Sequence, residues 1–183
     1  MKAKRKIGNI TSVGGIKDAY SRRILGNLIG KDPLAVYRRT PGALARLTRG
    51  LTRKELHTPP SSGKWSIARL VSHLCDAEII LAYRIRKAIA EPDSPLQAYD
   101  ENKWATRLHD AEMNVPKRLA LFAALRASHL ELIRTLSSTE LRRAGIHAER
   151  GRESVERMVQ LLAGHDINHL RQVKNARRRF ERK

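Results

Sequence analysis

Two histidines four residues apart are the part of this sequence best suited to chemistry. His165 and His169 are one helical turn apart, so their imidazoles share one helix face at a spacing of about 6 Å. This spacing suits two ligands of one metal ion. The apolar residues of the segment recur on the same face, so both histidines are expected to point inward. These apolar residues are Val155, Met158, Leu162 and Val173.

A third histidine is expected to approach this pair. His73 lies on the flank of another apolar stripe, from which it can reach His165 and His169 across a helical bundle. Three neutral imidazoles leave coordination positions open for water, as in catalytic metal sites. We therefore predict a metal site at His73, His165 and His169, with His129 as a weaker fourth candidate. The alternative is that these are hydrogen-bonded core histidines, because buried imidazoles also need polar partners.

Acidic residues close to the predicted ligands have two interpretations. Asp76, Glu78 and Asp166 could orient a histidine or act as a base. Alternatively, Asp76 and Asp166 form salt bridges with some of the many arginines. Cys75 is expected to be a small packing residue, because no histidine lies one helical turn from it. The sequence therefore assigns no catalytic residue.

Four amphipathic helices are predicted to position these histidines. They cover about 32–50, 66–90, 115–136 and 154–178, and no segment alternates like a β-strand. Pro41 implies that the first helix is kinked or divided. The simplest architecture is an all-α four-helix bundle with long connections and no sheet. The three remaining histidines are expected in exposed loops: His57, His109 and His147.

Composition excludes several classes of protein. The chain has 183 residues and one cysteine, so an intrachain disulfide and a four-cysteine zinc site are both excluded. No apolar run approaches about 18 residues, which argues against a membrane span. The basic N-terminus lacks the apolar region of a secretory signal. We expect a soluble, cytoplasmic protein.

The formal net charge of +19 is concentrated at the two ends of the chain. Residues 1–30 and 171–183 each carry a net +6, and the centre carries +7. We predict a basic, loosely ordered extension at 1–30, a bundle at 31–179 and a basic tail at 180–183. Aromatic residues form only 4% of the chain, too few for extensive base stacking. If the protein binds nucleic acid or another polyanion, we therefore expect nonspecific contact through the basic tails.

An ordered set of motifs resembles one known family. The motifs are Gly63-Lys-Trp-Ser-Ile67, His73-Leu-Cys-Asp-Ala-Glu78, Tyr99-Asp-Glu-Asn-Lys-Trp104, His147-Ala-Glu-Arg-Gly151 and His165-Asp-Ile-Asn-His169-Leu-Arg-Gln172. Together they resemble the DinB-like superfamily, in particular its YfiT-type metal-dependent hydrolases, over residues 32–175. The basic ends depart from this pattern.

The resemblance implies both a fold and a function. It implies a four-helix bundle with a divalent metal, commonly zinc or nickel, held by His73, His165 and His169. Some relatives are transferases that use a low-molecular-weight thiol such as bacillithiol or mycothiol. We therefore expect a metal-dependent hydrolase or thiol S-transferase acting on a small molecule, with a homodimer as a further expectation. The alternative is a non-catalytic metal-binding bundle with nonspecific affinity for nucleic acid.

Overall fold

In the computed structural model, residues 7–181 are described, and they form eight α-helices and three short strands. Residues 1–6 of the predicted extension and 182–183 of the predicted tail lie outside the described residues. The helices are α1 (Ala19–Gly26), α2 (Pro33–Thr48), α3 (Arg53–His57), α4 (Ile67–Ala90), α5 (Glu101–Arg107), α6 (Val115–Thr135), α7 (Ser138–Arg142) and α8 (Val155–Arg178). The strands are β1 (Pro95–Leu96), β2 (Ala144–His147) and β3 (Gly151–Ser154).

The four long helices α2, α4, α6 and α8 form the predicted bundle. Each packs against two of the others: α2 contacts α6 and α8, and α4 contacts the same pair. Helix starts agree with the prediction because capping side chains are present. The Ser66 hydroxyl accepts from the Arg69 amide, and the Ser154 hydroxyl accepts from the Arg157 amide. The all-α four-helix bundle is therefore confirmed.

Helix α2 continues through Pro41 without dividing. A proline has no N–H, so the carbonyl four residues before it loses its helical donor. That carbonyl belongs to Tyr37, and it accepts a hydrogen bond from Arg126 Nη1 at 2.5 Å. A side chain from α6 therefore replaces the missing helical hydrogen bond and lets α2 remain one helix.

A small three-stranded sheet corrects the expectation that the protein has no sheet. β1 is parallel to β2, pairing Pro95 with Ile146, and β2 is antiparallel to β3, pairing Ala144 with Ser154. The strands have two to four residues, which is too short for alternation to be recognised in the sequence. The sheet joins the connection between α4 and α6, which contains β1, to the connection between α7 and α8, which contains β2 and β3.

Part of the segment predicted as a loosely ordered extension packs against the core, whereas most of its residues from 11 to 20 are exposed. Its buried apolar residues are Ile7, Ile10, Ile24, Leu25 and Leu28. Helix α1 packs against α8, and Gln160 of α8 donates to the Gly8 carbonyl at 2.7 Å. These apolar side chains supply contacts that the four long helices would otherwise lack.

Within residues 7–181, no helix is long and apolar enough to cross a bilayer.

Candidate metal centre

The structure brings the three predicted ligand residues together. α4 supplies His73, and α8 supplies His165 and His169. His165 Nε2 lies 3.1 Å from His73 Nε2 and 3.1 Å from His169 Nε2. The three residues present one nitrogen each within 4.8 Å of one another, and all three are buried. In the described part of the chain, this is the only such group of three or more potential metal ligands.

The protein environment keeps these imidazoles neutral. Burial lowers the pKa of His73 to about 3 and that of His169 to about 4. The pKa of His165 is also well below its usual value, first because of burial and then because of the other two histidines. A neutral imidazole keeps a lone pair on one nitrogen, which is the form that binds a metal. All three rings are therefore suitable ligands at neutral pH.

The hydrogen bonds around the cluster fit a bound cation. His169 Nδ1 lies 3.2 Å from Gln172 Oε1, an atom that only accepts, so this contact assigns the ring proton to Nδ1. The lone pair is then on His169 Nε2 and faces the cluster. His165 Nδ1 is buried and has no hydrogen-bond partner among the described residues, so this ring forms polar contacts only through Nε2. Three neutral rings with converging nitrogens cannot satisfy one another fully, whereas a cation can bind all three.

Trp65 and Glu101 border the cluster. The Trp65 ring contacts His73 edge-on, with ring centroids 5.1 Å apart. Glu101 Oε2 lies 3.9 Å from His73 Nε2, and its side chain is 51% exposed. Burial raises the pKa of this carboxyl. Sequence reasoning missed Glu101 as a site residue; the signal available was its place in the Tyr99–Trp104 motif.

Two cavities open beside the cluster. The smaller has a volume of about 260 Å³ and the larger about 510 Å³. Both are lined by Tyr20, Glu101 and His165. The cluster is therefore reachable by small molecules from two sides.

His129, the weaker fourth candidate, lies in a separate buried network. Its Nδ1 is 2.6 Å from Glu78 Oε1, which also accepts from the Tyr37 hydroxyl at 2.7 Å. Burial alone would raise the pKa of Glu78, but Arg126 and these hydrogen bonds lower it to about 2. His129 is thus a hydrogen-bonded core histidine, the alternative that the sequence left open for it.

The acidic residues near the ligands are paired with arginines. Asp76 Oδ1 lies 3.4 Å from Arg118 Nη1, and Asp166 Oδ2 lies 2.7 Å from Arg126 Nη1. Both contacts agree with the salt-bridge interpretation. Cys75 is buried, and burial raises its thiol pKa to about 11. The thiol therefore stays protonated, as expected for a packing residue.

The three histidines expected in exposed loops differ in burial. His109 is exposed, whereas His57 ends α3 with its Nδ1 hydrogen-bonded to the Ala111 carbonyl. His147 is buried in β2, which corrects the expectation for this residue. Its Nδ1 accepts from the Glu149 amide at 3.2 Å, and the residue lines the smaller cavity. His147 was expected in a loop because the short strand β2 that contains it cannot be recognised in the sequence.

Known proteins share both the sequence pattern and the fold. A protein of Oceanobacillus iheyensis named "Putative metal-dependent hydrolase" is 30% identical over 133 residues, covering 73% of this chain and 77% of its own. A protein of Bacillus mycoides with the same description is 28% identical over 140 residues, covering 76% and 80%. The solved structure of YfiT from Bacillus subtilis is described as "a probable metal-dependent hydrolase with an unusual four-helix bundle topology".

YfiT aligns with a TM-score of 0.76 and 23% identity, covering 81% of this chain and 86% of its own. This likeness agrees with the observed bundle. The sequence profile of the DinB superfamily matches residues 37–173, a range that begins in α2 and ends in α8 and contains all three clustered histidines. The chain belongs to the DinB superfamily.

Proposed function

We propose that this protein is a metal-dependent hydrolase that acts on a small molecule at a divalent ion held by His73, His165 and His169. The observation that carries the proposal is the convergence of three neutral, buried imidazole nitrogens. Imidazole ligands suit zinc and nickel, and we propose these two metals as candidates. The names of the relatives support metal-dependent hydrolysis as the reaction class.

The residues around the cluster have distinct roles in this proposal. A divalent ion held by three uncharged imidazoles would keep its full 2+ charge, which would lower the pKa of a water molecule bound to it. Gln172 fixes the orientation and the proton position of His169. Trp65 covers one side of His73 and excludes water there. Glu101 is placed to accept a proton from a water molecule that enters beside the cluster.

A second candidate function is transfer to or from a low-molecular-weight thiol. The observation that favours it is the pair of cavities that meet at the histidine cluster, because a transferase must hold two substrates there. A hydrolase needs room for one substrate and water. Adding thiols such as bacillithiol to an activity screen separates the two reactions.

The metal proposal is tested by elemental analysis and calorimetry of the purified protein. We expect one zinc or nickel ion per chain in the wild type and loss of that ion in His165→Ala. His109→Ala is the matched control, because His109 is exposed and outside the cluster. Wild-type protein without a stoichiometric ion, and without thermal stabilisation by zinc or nickel, contradicts the proposal.

Catalysis is tested separately from metal binding with Glu101→Gln. This variant is expected to keep the ion and to lose at least tenfold of the hydrolytic rate on a panel of small esters and amides. Metal-loaded wild type that is stabilised by the ion but hydrolyses none of the panel, with or without thiols, favours the non-catalytic alternative.

A further inference from the structure

The two cavities beside the histidine cluster differ in charge. The cluster forms part of the wall of both, through His165. A substrate that reaches the cluster must therefore place its remaining groups in one cavity or the other. The charged side chains of the two cavities determine which groups each one accepts.

The larger cavity combines amide groups with two exposed cations, of which Arg23 lies over the Tyr20 ring, 5.6 Å from its centroid, and acts electrostatically on Glu101. Arg23 and Lys64 line it, and neither forms a salt bridge within residues 7–181. Its floor is the face of α8 that carries His165 and His169, followed by the amides Asn168, Gln172 and Asn175. Glu101 is the single carboxylate among the described lining residues.

An aromatic side chain completes the larger cavity. Trp65 lines it just before the start of α4, and Ile24 and Ala176 lie behind its wall at 0% and 2% exposure. A cavity with an apolar wall and a few polar groups at fixed positions is the usual form of a small-molecule site. The larger cavity thus suits a ligand with both an apolar body and a charged end.

The smaller cavity has an excess of carboxylates. Its acidic lining residues are Asp18, Glu101, Glu149 and Glu153. Arg150 forms hydrogen bonds of 2.5 and 3.0 Å with Glu153, so these two charges offset each other. Arg84 is then the one cation facing the other three carboxylates among the described lining residues, and the lining keeps a negative excess. Like charges repel an anion from this side.

From this asymmetry we propose that the substrate carries a carboxylate or phosphate group that binds Arg23 and Lys64 in the larger cavity. The apolar body of the substrate lies against Trp65, and its reacting group faces His165 and His169. This assignment of substrate class rests on the proposed function for the position of the reacting group. The binding of the anion depends only on the two cations and the cavity.

The test measures binding of simple probes to zinc-loaded and to metal-free protein by calorimetry. The probes are phenyl phosphate, glutarate and the uncharged benzyl alcohol. We expect one of the two anions to bind, and its affinity to fall at least tenfold in the double variant Arg23→Gln/Lys64→Gln. The anion that binds more tightly identifies phosphate or carboxylate as the recognised group.

A matched control accounts for the high net charge of the protein, which attracts any anion. Arg38→Gln/Lys117→Gln removes the same charge at exposed positions that line neither cavity, and it is expected to leave the affinity unchanged. Equal loss in both double variants, equal affinity for benzyl alcohol, or no binding of either anion overturns the proposal. Anion binding to protein that takes up no zinc contradicts the metal-dependent function but supports the anion site.

Discussion

Two hydrogen bonds join Arg126 to Glu78 in the centre of the bundle, at 3.0 Å from Nε to Oε1 and 2.7 Å from Nη2 to Oε2. Both side chains are excluded from solvent, with 1% and 0% exposure. The same guanidinium donates to Asp166 and to the Tyr37 carbonyl left free by Pro41. It therefore connects α6 to the other three long helices, including the two that carry the clustered histidines.

Replacing Arg126 with methionine is expected to lower the free energy of unfolding by about 3–5 kcal/mol, because two buried carboxylates lose their counter-charge. Urea unfolding measures the change. Arg134→Met, at an exposed position on the same helix, is the control and is expected to change stability by less than about 0.5 kcal/mol. Similar losses in both variants contradict a structural role for the Arg126 network.

Gly164 tests whether the packing of α1 against α8 stabilises the protein. A Cβ at this position would lie 2.3 Å from the Ile24 carbonyl oxygen, so Gly164→Ala must displace α1. We expect a loss of about 1–3 kcal/mol in the free energy of unfolding, with faster amide hydrogen exchange in α1.

The matched control for Gly164→Ala is Gly42→Ala in α2, where the new Cβ would meet only the flexible end of Arg46 at 3.5 Å. This exposed helical position is expected to gain about 0.5–1 kcal/mol from the same change. Unaltered hydrogen exchange of α1 in Gly164→Ala contradicts the observed packing.

Asp110 provides a prediction about pH. Burial and the neighbouring Asp76 raise its pKa from 3.8 to about 6, and its two oxygens have no donor among the described residues. Because the folded protein binds this proton more tightly than the unfolded chain does, the stability it contributes is present at low pH and lost as pH rises from 3.8 through 6. Asp110→Asn, which resembles the neutral form, is therefore expected to increase the free energy of unfolding by about 2 kcal/mol at pH 8.

The same Asp110→Asn comparison at pH 5 is the internal control, because the wild-type carboxyl is then largely protonated and the gain is expected to be smaller. Thermal or urea unfolding across pH 5–8 measures both values. A gain that does not depend on pH shows that the carboxyl is ionised in the folded protein.

Gln172 is expected to tune the affinity for the proposed ion through His169. Gln172→Ala removes the acceptor that holds His169 Nδ1–H at 3.2 Å, and loss of such a partner typically weakens metal binding by about 10-fold or more. Competition with a metal indicator measures the affinity. Asn175→Ala is the control on the same helix; an equal effect of the two variants contradicts the role of Gln172.

Local sequence determines where the helices begin and which face of α8 carries His165 and His169. Ser66 and Ser154 cap their helices through contacts within a few residues, and a helical period places His165 and His169 on one face wherever the helix packs. These features depend on near neighbours along the chain, so they can be predicted without the fold. The helix phase also indicated that His73 faces inward.

Only tertiary packing distinguishes inward histidines from one another. His73 and His129 are both buried, but His73 meets His165 across 92 residues of sequence, whereas His129 meets Glu78. Glu101 reaches the cluster, and Arg126 reaches the Tyr37 carbonyl, through contacts between helices far apart in the chain. Periodicity tells which side of a helix is buried, but the identity of the group it meets depends on how the helices pack. The sequence therefore predicted that His73, His165 and His169 come together, and the fold decided which other groups surround them.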